Sequence, residues 1–353
     1  MAKTRLHYFD VLKGLAIFMV VIGHVLTMCI RDIDSAVLFK LVEKIHMPIF
    51  FFISGYFTYK VTEKGNIIVS GIFSRVKQLI VPFLAVSALW LFYFPHSGLQ
   101  SPFDSTLEGL YFSVGKNGYW FTLCLFEIII LYYAITPLLN LSRNVLFRLL
   151  VILLTWIGLG CIASVDALNK FNALTSLALV YEFFPVFMLG VISRSHNDIY
   201  EQITEKGKYI TIAMIAGSFL MYYVCWPWEF QLPMMFLPFV KLLLYVCVVI
   251  MAVAIVKPWC NRSVTETLPD GTRMVRLWKY LGTQSLSIYL LHYFFLFPIP
   301  VLREPLIGMN LNFVPTLIVA GILATVIIAV TLGANYIICR SRILALCLTG
   351  KIK

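Results

Sequence analysis

The feature that most constrains this chain is the recurrence of apolar runs of roughly 20 residues, separated by short loops in which most of the lysines and arginines sit. Such runs are long enough to cross a bilayer as helices, and hydrocarbon forces the backbone to satisfy itself within each one. Spans are predicted near 9–29, 38–59, 76–95, 119–139, 146–164, 173–193, 208–226, 234–256, 277–298 and 313–338. The expected fold is therefore an all-α, polytopic membrane bundle of about ten helices, read as one domain over 1–353 with no soluble domain appended.

Composition agrees. Hydrophobic residues make up 60% of the 353 residues and charged ones 13%, and the mean hydropathy is +0.89, which excludes an ordinary soluble domain. The formal net charge of +11 invites a nucleic-acid reading, but the charges fall in loops between spans and form no basic face. Their placement instead orients the bundle. Lys3, Arg5, Lys60, Lys64, Arg143, Arg148, Arg194, Lys206, Lys257 and Arg340 fall on one side, whereas the other holds Arg31, Lys116, Lys170 and Arg303. The positive-inside rule puts both termini in the cytoplasm. Trp226, Trp228, Trp259 and Trp278 fall near span ends, as interfacial aromatics do. The longest interruptions are 95–118 outside, 196–208 inside, and a polar, turn-rich loop at 257–279 inside. The eight cysteines are scattered, with no CxxC pair, so neither a disulfide framework nor a metal site is expected.

Within this frame one helix stands out, Asp10–His24. Lys13 and His24 are eleven residues apart, so at about 100° per residue they share a face and lie about 16 Å apart along the axis. Asp10 joins that stripe, and Ile17, Val20 and Val21 fill it between the polar ends. Charged or titratable groups inside a span cost about 2.5–3.5 kcal/mol at the helix centre unless solvated or paired, so the few present mark candidate sites. His46, Glu127, Glu182 and His292 fall within spans, and Arg75 and Lys77 lie with Lys13 at the inner face. Structural roles compete: a histidine can tie two helices together, a protonated glutamate can pack, and inner-face cations can serve only topology and lipid phosphates. A proton-coupled carrier or glycan exporter would also show such a pattern, although no inverted repeat is visible.

The order of motifs narrows the choice. Asp10, Lys13 and Gly23-His24 are followed by His46-Met47-Pro48 with Ser54-Gly55-Tyr56, then by Arg75-Val76-Lys77 with Pro82. Tyr119-Trp120-Phe121, Phe184-Pro185 with Gly190, and Ser285 through His292 complete the series. This series resembles the acyltransferase-3 family of integral membrane O-acyltransferases over nearly the whole chain; Lys77 departs mildly from the usual Arg-x-Arg. The resemblance implies transfer of an acyl group, usually acetyl, from cytoplasmic acyl-CoA to a hydroxyl of a sugar or a lipid-linked or surface glycan. It implies His24 as the catalytic histidine and Lys13 and Arg75, with Lys77, as residues that bind the acyl donor. Glu127 is a second catalytic candidate, and His46, Trp120 and His292 are candidates for acceptor contact. Acetyl-CoA or another acyl-CoA is the expected donor, with no metal. Membrane lipids and a carbohydrate or glycolipid acceptor are the expected partners, nucleic acid is not, and a homo-oligomer is left open. The expected location is the bacterial cytoplasmic (inner) membrane.

Independent of that likeness, coenzyme A phosphates favour Lys or Arg, and an apolar wall of about 16 Å suits a pantetheine arm. A neutral imidazole can take a proton from an attacking hydroxyl. Direct transfer and a two-step route through acyl-histidine both fit these residues.

Overall fold

A computed structural model describes residues 7–30, 33–59, 66–97, 106–225, 236–263, 271–296 and 313–351. Lys3, Arg5, Arg31, Lys60, Lys64, Trp226, Trp228, Arg303, part of the outer interruption and most of the polar turn before Arg273 lie outside the described residues. The described chain is helical throughout, without a strand. Seven of its helical segments are long and apolar enough to cross a membrane. The other three predicted spans fall on Ile33–Thr58, Gly207–Cys225 and the segment from Arg273 to Phe295, so length and apolarity among the described residues account for seven of the ten expected crossings.

The last of these departs most from expectation. In place of one helix at 277–298 there are three pieces: α-helices Arg273–Thr283 and Ser285–Leu291, then a 3-10 turn His292–Phe295. The Thr283 hydroxyl bonds back to the Tyr280 carbonyl at 2.7 Å, a local alternative to continuing the helix. Arg273, Arg276 and Lys279 crowd the first piece, which buries Val275, Leu281 and Gly282, so it is amphipathic rather than spanning.

The chain divides into two compact units, one formed by residues 1–53 and 196–333, the other by 54–195 and 334–353. Helices are numbered in chain order. In the first unit, α1 (His7–Val25) is extended by a π turn, Leu26–Ile30, and is followed by α2 (Ile33–Thr58), whose last residues pass into the second unit. In the second unit are α3 (Asn66–Arg75), a π turn at Val76–Ile80, α4 (Val81–Ser97), α5 (Trp120–Leu139), α6 (Val145–Ala163), α7 (Asn169–Thr175) and α8 (Leu177–Ser195). The first unit resumes with α9 (Asn197–Glu205), α10 (Gly207–Cys225), α11 (Leu237–Ser263), α12 (Arg273–Thr283), α13 (Ser285–Leu291) and α14 (Phe313–Ile338). The end of α14 and α15 (Arg342–Thr349) complete the second.

In the first unit, α1 packs chiefly on α12 and also touches α11 and α13. The α1–α12 crossing is made by a reciprocal pair of glycines. A Cβ on Gly14 would overlap the Trp278 carbonyl, and one on Gly282 would overlap the Asp10 carbonyl. Small residues let two backbones approach in a medium where apolar side chains gain little by leaving lipid. On another face of α1, Leu12, Ala16 and Met19 join Ile49, Gly217 and Met251 around an apolar cavity of about 430 Å³.

In the second unit, α8 packs on α5 and α6, and α15 lies on α4. Gly55 faces the Phe187 backbone so closely that a Cβ would overlap its carbonyl, which accounts for Ser54-Gly55 as helix packing.

Candidate functional site

His24 lies one residue before the end of α1 and is half-buried. The π turn that follows admits an extra residue, and such turns re-aim side chains. The Thr27 hydroxyl donates to the Gly23 carbonyl at 3.2 Å and lies 3.3 Å from that of His24. Around the imidazole stand Phe39, His292 and Tyr293, with ring centres 6.3, 5.4 and 4.8 Å away. Its Nε2 is hydrogen-bonded to the Tyr293 hydroxyl at 2.8 Å.

His292 is held by its own helix. Its Nδ1 donates to the carbonyls of Ile288 at 2.9 Å and Tyr289 at 2.8 Å, at the end of α13, where the His292 backbone N–H also bonds to the Ile288 carbonyl. Carbonyls only accept, so this ring carries its proton on Nδ1. Its Nε2 is therefore a lone-pair acceptor, buried and without a hydrogen-bond partner. His46 repeats the pattern on α2: Nδ1 donates to the Val42 carbonyl at 2.7 Å, and the ring is buried. Both His46 and His292 are close enough to His24 to interact with it electrostatically. Among the described residues no group of three or more His, Cys, Asp or Glu side chains is placed to hold a metal.

Of the sequence-predicted residues, the first unit thus brings His24, His46 and His292 together. Lys13 lies further back on the same helix, its ammonium 2.8 Å from the buried carboxylate of Asp10. Ile17, Val20 and Val21 between Lys13 and His24 are buried. Tyr293 is the neighbour sequence reading missed, because in a continuous helix a residue beside His292 would face elsewhere. The 3-10 turn brings it onto His24. The cavity described above includes none of these residues.

The second unit holds the remaining candidates. The Arg75 guanidinium donates to Gln78 Oε1 at 3.2 Å, just where α3 gives way to a π turn. Lys77, within that turn, is exposed. Trp120 begins α5 and stacks on Phe183, with ring centres 5.6 Å apart and planes 20° from parallel. Two turns further along α5, Glu127 has a buried Oε2 with no hydrogen-bond partner.

Lys116, read from sequence as an outer-loop charge, is fully buried. Its ammonium donates to the carbonyls of Tyr111 at 2.7 Å, Ser113 at 3.0 Å and Ala173. Lys116 and Asn117 take left-handed backbone conformations, with φ of 46° and 49°. Burial pushes the Lys116 pKa down to about 8, and the nearby Glu127 carboxylate opposes that shift.

Comparison with known proteins adds the family. No curated protein and no solved structure matches the chain. The profile of the acyltransferase-3 family, described as an acyltransferase domain, matches residues 6–334. With a match of that extent and seven helices able to cross a bilayer, the chain belongs to the acyltransferase-3 family and is an integral membrane acyltransferase.

Proposed function

We propose that this protein transfers an acyl group, acetyl in the first instance, from cytoplasmic acyl-CoA to a hydroxyl of a sugar or a lipid-linked or surface glycan in the bacterial cytoplasmic membrane. His24 is the base. Family membership supports acyl transfer. The observation that carries the base assignment is a half-buried imidazole with only one ring nitrogen engaged, set beside two histidines of fixed tautomer.

In this reading the imidazole takes the acceptor hydroxyl's proton as its oxygen bonds to the thioester carbonyl carbon. The carbon–sulfur bond breaks, and the proton passes to the departing thiolate. The products are the ester and free coenzyme A, and His24 returns to its neutral state. His46 and His292, with Nε2 lone pairs, suit hydroxyl donors of the acceptor, and the Trp120 ring suits a sugar face. Lys13, Arg75 and Lys77 are assigned to the donor's phosphates, which favour such cations. Glu127 is a second catalytic candidate because one of its carboxyl oxygens is buried without a partner.

The test uses full-length protein in membranes with acetyl-CoA, following free thiol and a gain of one acetyl mass on membrane glycans and lipids. Thiol and acylated product should appear together, and His24→Ala should reduce both by about 10²–10⁴. Retained transfer in His24→Ala overturns the assignment, and a carrier would release no thiol.

A further inference from the structure

From the hydrogen bond between Tyr293 and His24 we infer that Tyr293 is a positioning residue that leaves Nδ1 of His24 as the nitrogen that takes the acceptor's proton. This inference rests on the reading of His24 as the base.

An imidazole has two nitrogens, and only one carries a proton in the neutral ring. On His24, Nε2 is taken by the Tyr293 hydroxyl at 2.8 Å, while Nδ1 has no hydrogen-bond partner among the described residues. A base needs an accessible lone pair. If Tyr293 donated to Nε2, the remaining Nδ1–H could only donate, and the ring would have no lone pair left for the acceptor hydroxyl. If Nε2–H donates to the tyrosine oxygen, Nδ1 is free and basic. The same bond then steadies the imidazolium formed when the acceptor's proton arrives, as the partner on a catalytic histidine's second nitrogen does elsewhere.

The fold holds Tyr293 firmly in that place. It is fully buried, and its ring packs on His292 with centres 4.1 Å apart. His292 is in turn bound to two backbone carbonyls. The tautomer predicted for His24 is the opposite of that of His46 and His292, whose Nδ1 atoms carry the proton. The protein thus contains its own reference signals.

The experiment is nitrogen-15 magnetic resonance on full-length protein with labelled histidine in lipid nanodiscs, without ligand, paired with acetyl-CoA-dependent thiol release in membranes. His24 is assigned by the signal lost in His24→Gln. In the wild type that signal should show protonated Nε2 and bare Nδ1, while His46 and His292 show the reverse. Tyr293→Phe should convert it to a mixture of tautomers. It should also lower kcat by about tenfold or more with the KM for acetyl-CoA within about twofold. Unchanged His46 and His292 signals establish that the variant is folded.

A wild-type His24 signal with protonated Nδ1, alongside thiol release that needs His24, overturns the inference and leaves the base assignment standing. So does Tyr293→Phe with unaltered tautomer and turnover. Thiol release that survives His24→Gln overturns the base assignment, and this inference with it.

Discussion

Lys116 keeps its ammonium where water does not reach, and three carbonyl oxygens stand in for the water. They come from two stretches of chain, residues 111–113 and Ala173, so one side chain ties the approach to α5 to α7. Lys116→Met removes the ammonium donor, although the Ser113 carbonyl keeps the backbone N–H of residue 116; the cost is about 1–3 kcal/mol for each buried carbonyl left without a partner. The thermal midpoint of the purified variant should fall by several degrees. Nothing in the local sequence marks this lysine, since one of its three partners, Ala173, is 57 residues away in the chain and leaves no spacing signal. Arg75 is the converse, legible from its motif and placed beside Gln78. If Arg75 holds donor phosphate, Arg75→Glu should raise the apparent KM for acetyl-CoA by about tenfold or more and leave that for the acceptor nearly unchanged. Equal changes in both would indicate damaged folding instead.

At the scale of elements, sequence period identifies where helices run and misses where they are interrupted. The π turn after Val25 and the break at Leu291 fall in runs that remain mainly apolar across the interruption. Hydropathy therefore continues while the hydrogen-bond pattern changes. The α1–α12 crossing has a sharper signature, because Gly14 and Gly282 meet opposing carbonyls. Gly282→Ala should lower the yield and thermal midpoint of folded protein. Gly158→Ala in α6, where an added Cβ meets nothing within 4 Å, should leave stability equal or raise it by up to about 1 kcal/mol. Between α9 and α11, Lys257 bonds to Glu205 at 2.8 Å and to Glu201. The hydrogen bond from Lys257, together with one to Glu201 and the Lys257 charge, holds the Glu205 carboxyl below its ordinary value. A lowered carboxylate pKa contributes stability above the unfolded value, about 4.3, and loses it as pH falls through the folded one. Glu205→Gln should accordingly flatten the acid side of a thermal-midpoint profile, and an unaltered profile would show that the pair contributes nothing.

For the whole molecule, the distribution of lysine and arginine predicts a cytoplasmic N-terminus and C-terminus. A cysteine in place of exposed Lys170 should react with a membrane-impermeant maleimide on intact cells, and one replacing exposed Arg143 only after permeabilisation. The reverse pattern would invert the topology and, with it, the side from which donor is drawn.

Sequence alone determined that the chain is a helical membrane protein, because hydrocarbon admits few ways of satisfying a backbone and apolar run length reports on that directly. It also determined the family, because the ordered motifs persist whether or not the helices around them bend. Only the tertiary structure decided that His292 turns its Nδ1 onto its own helix, that Tyr293 reaches His24, and that Lys116 is buried. Those outcomes depend on a 3-10 turn, the π turn that follows His24 and a carbonyl contributed from a distant part of the chain. Contacts of that kind are selected by packing in three dimensions, and no local periodicity encodes them.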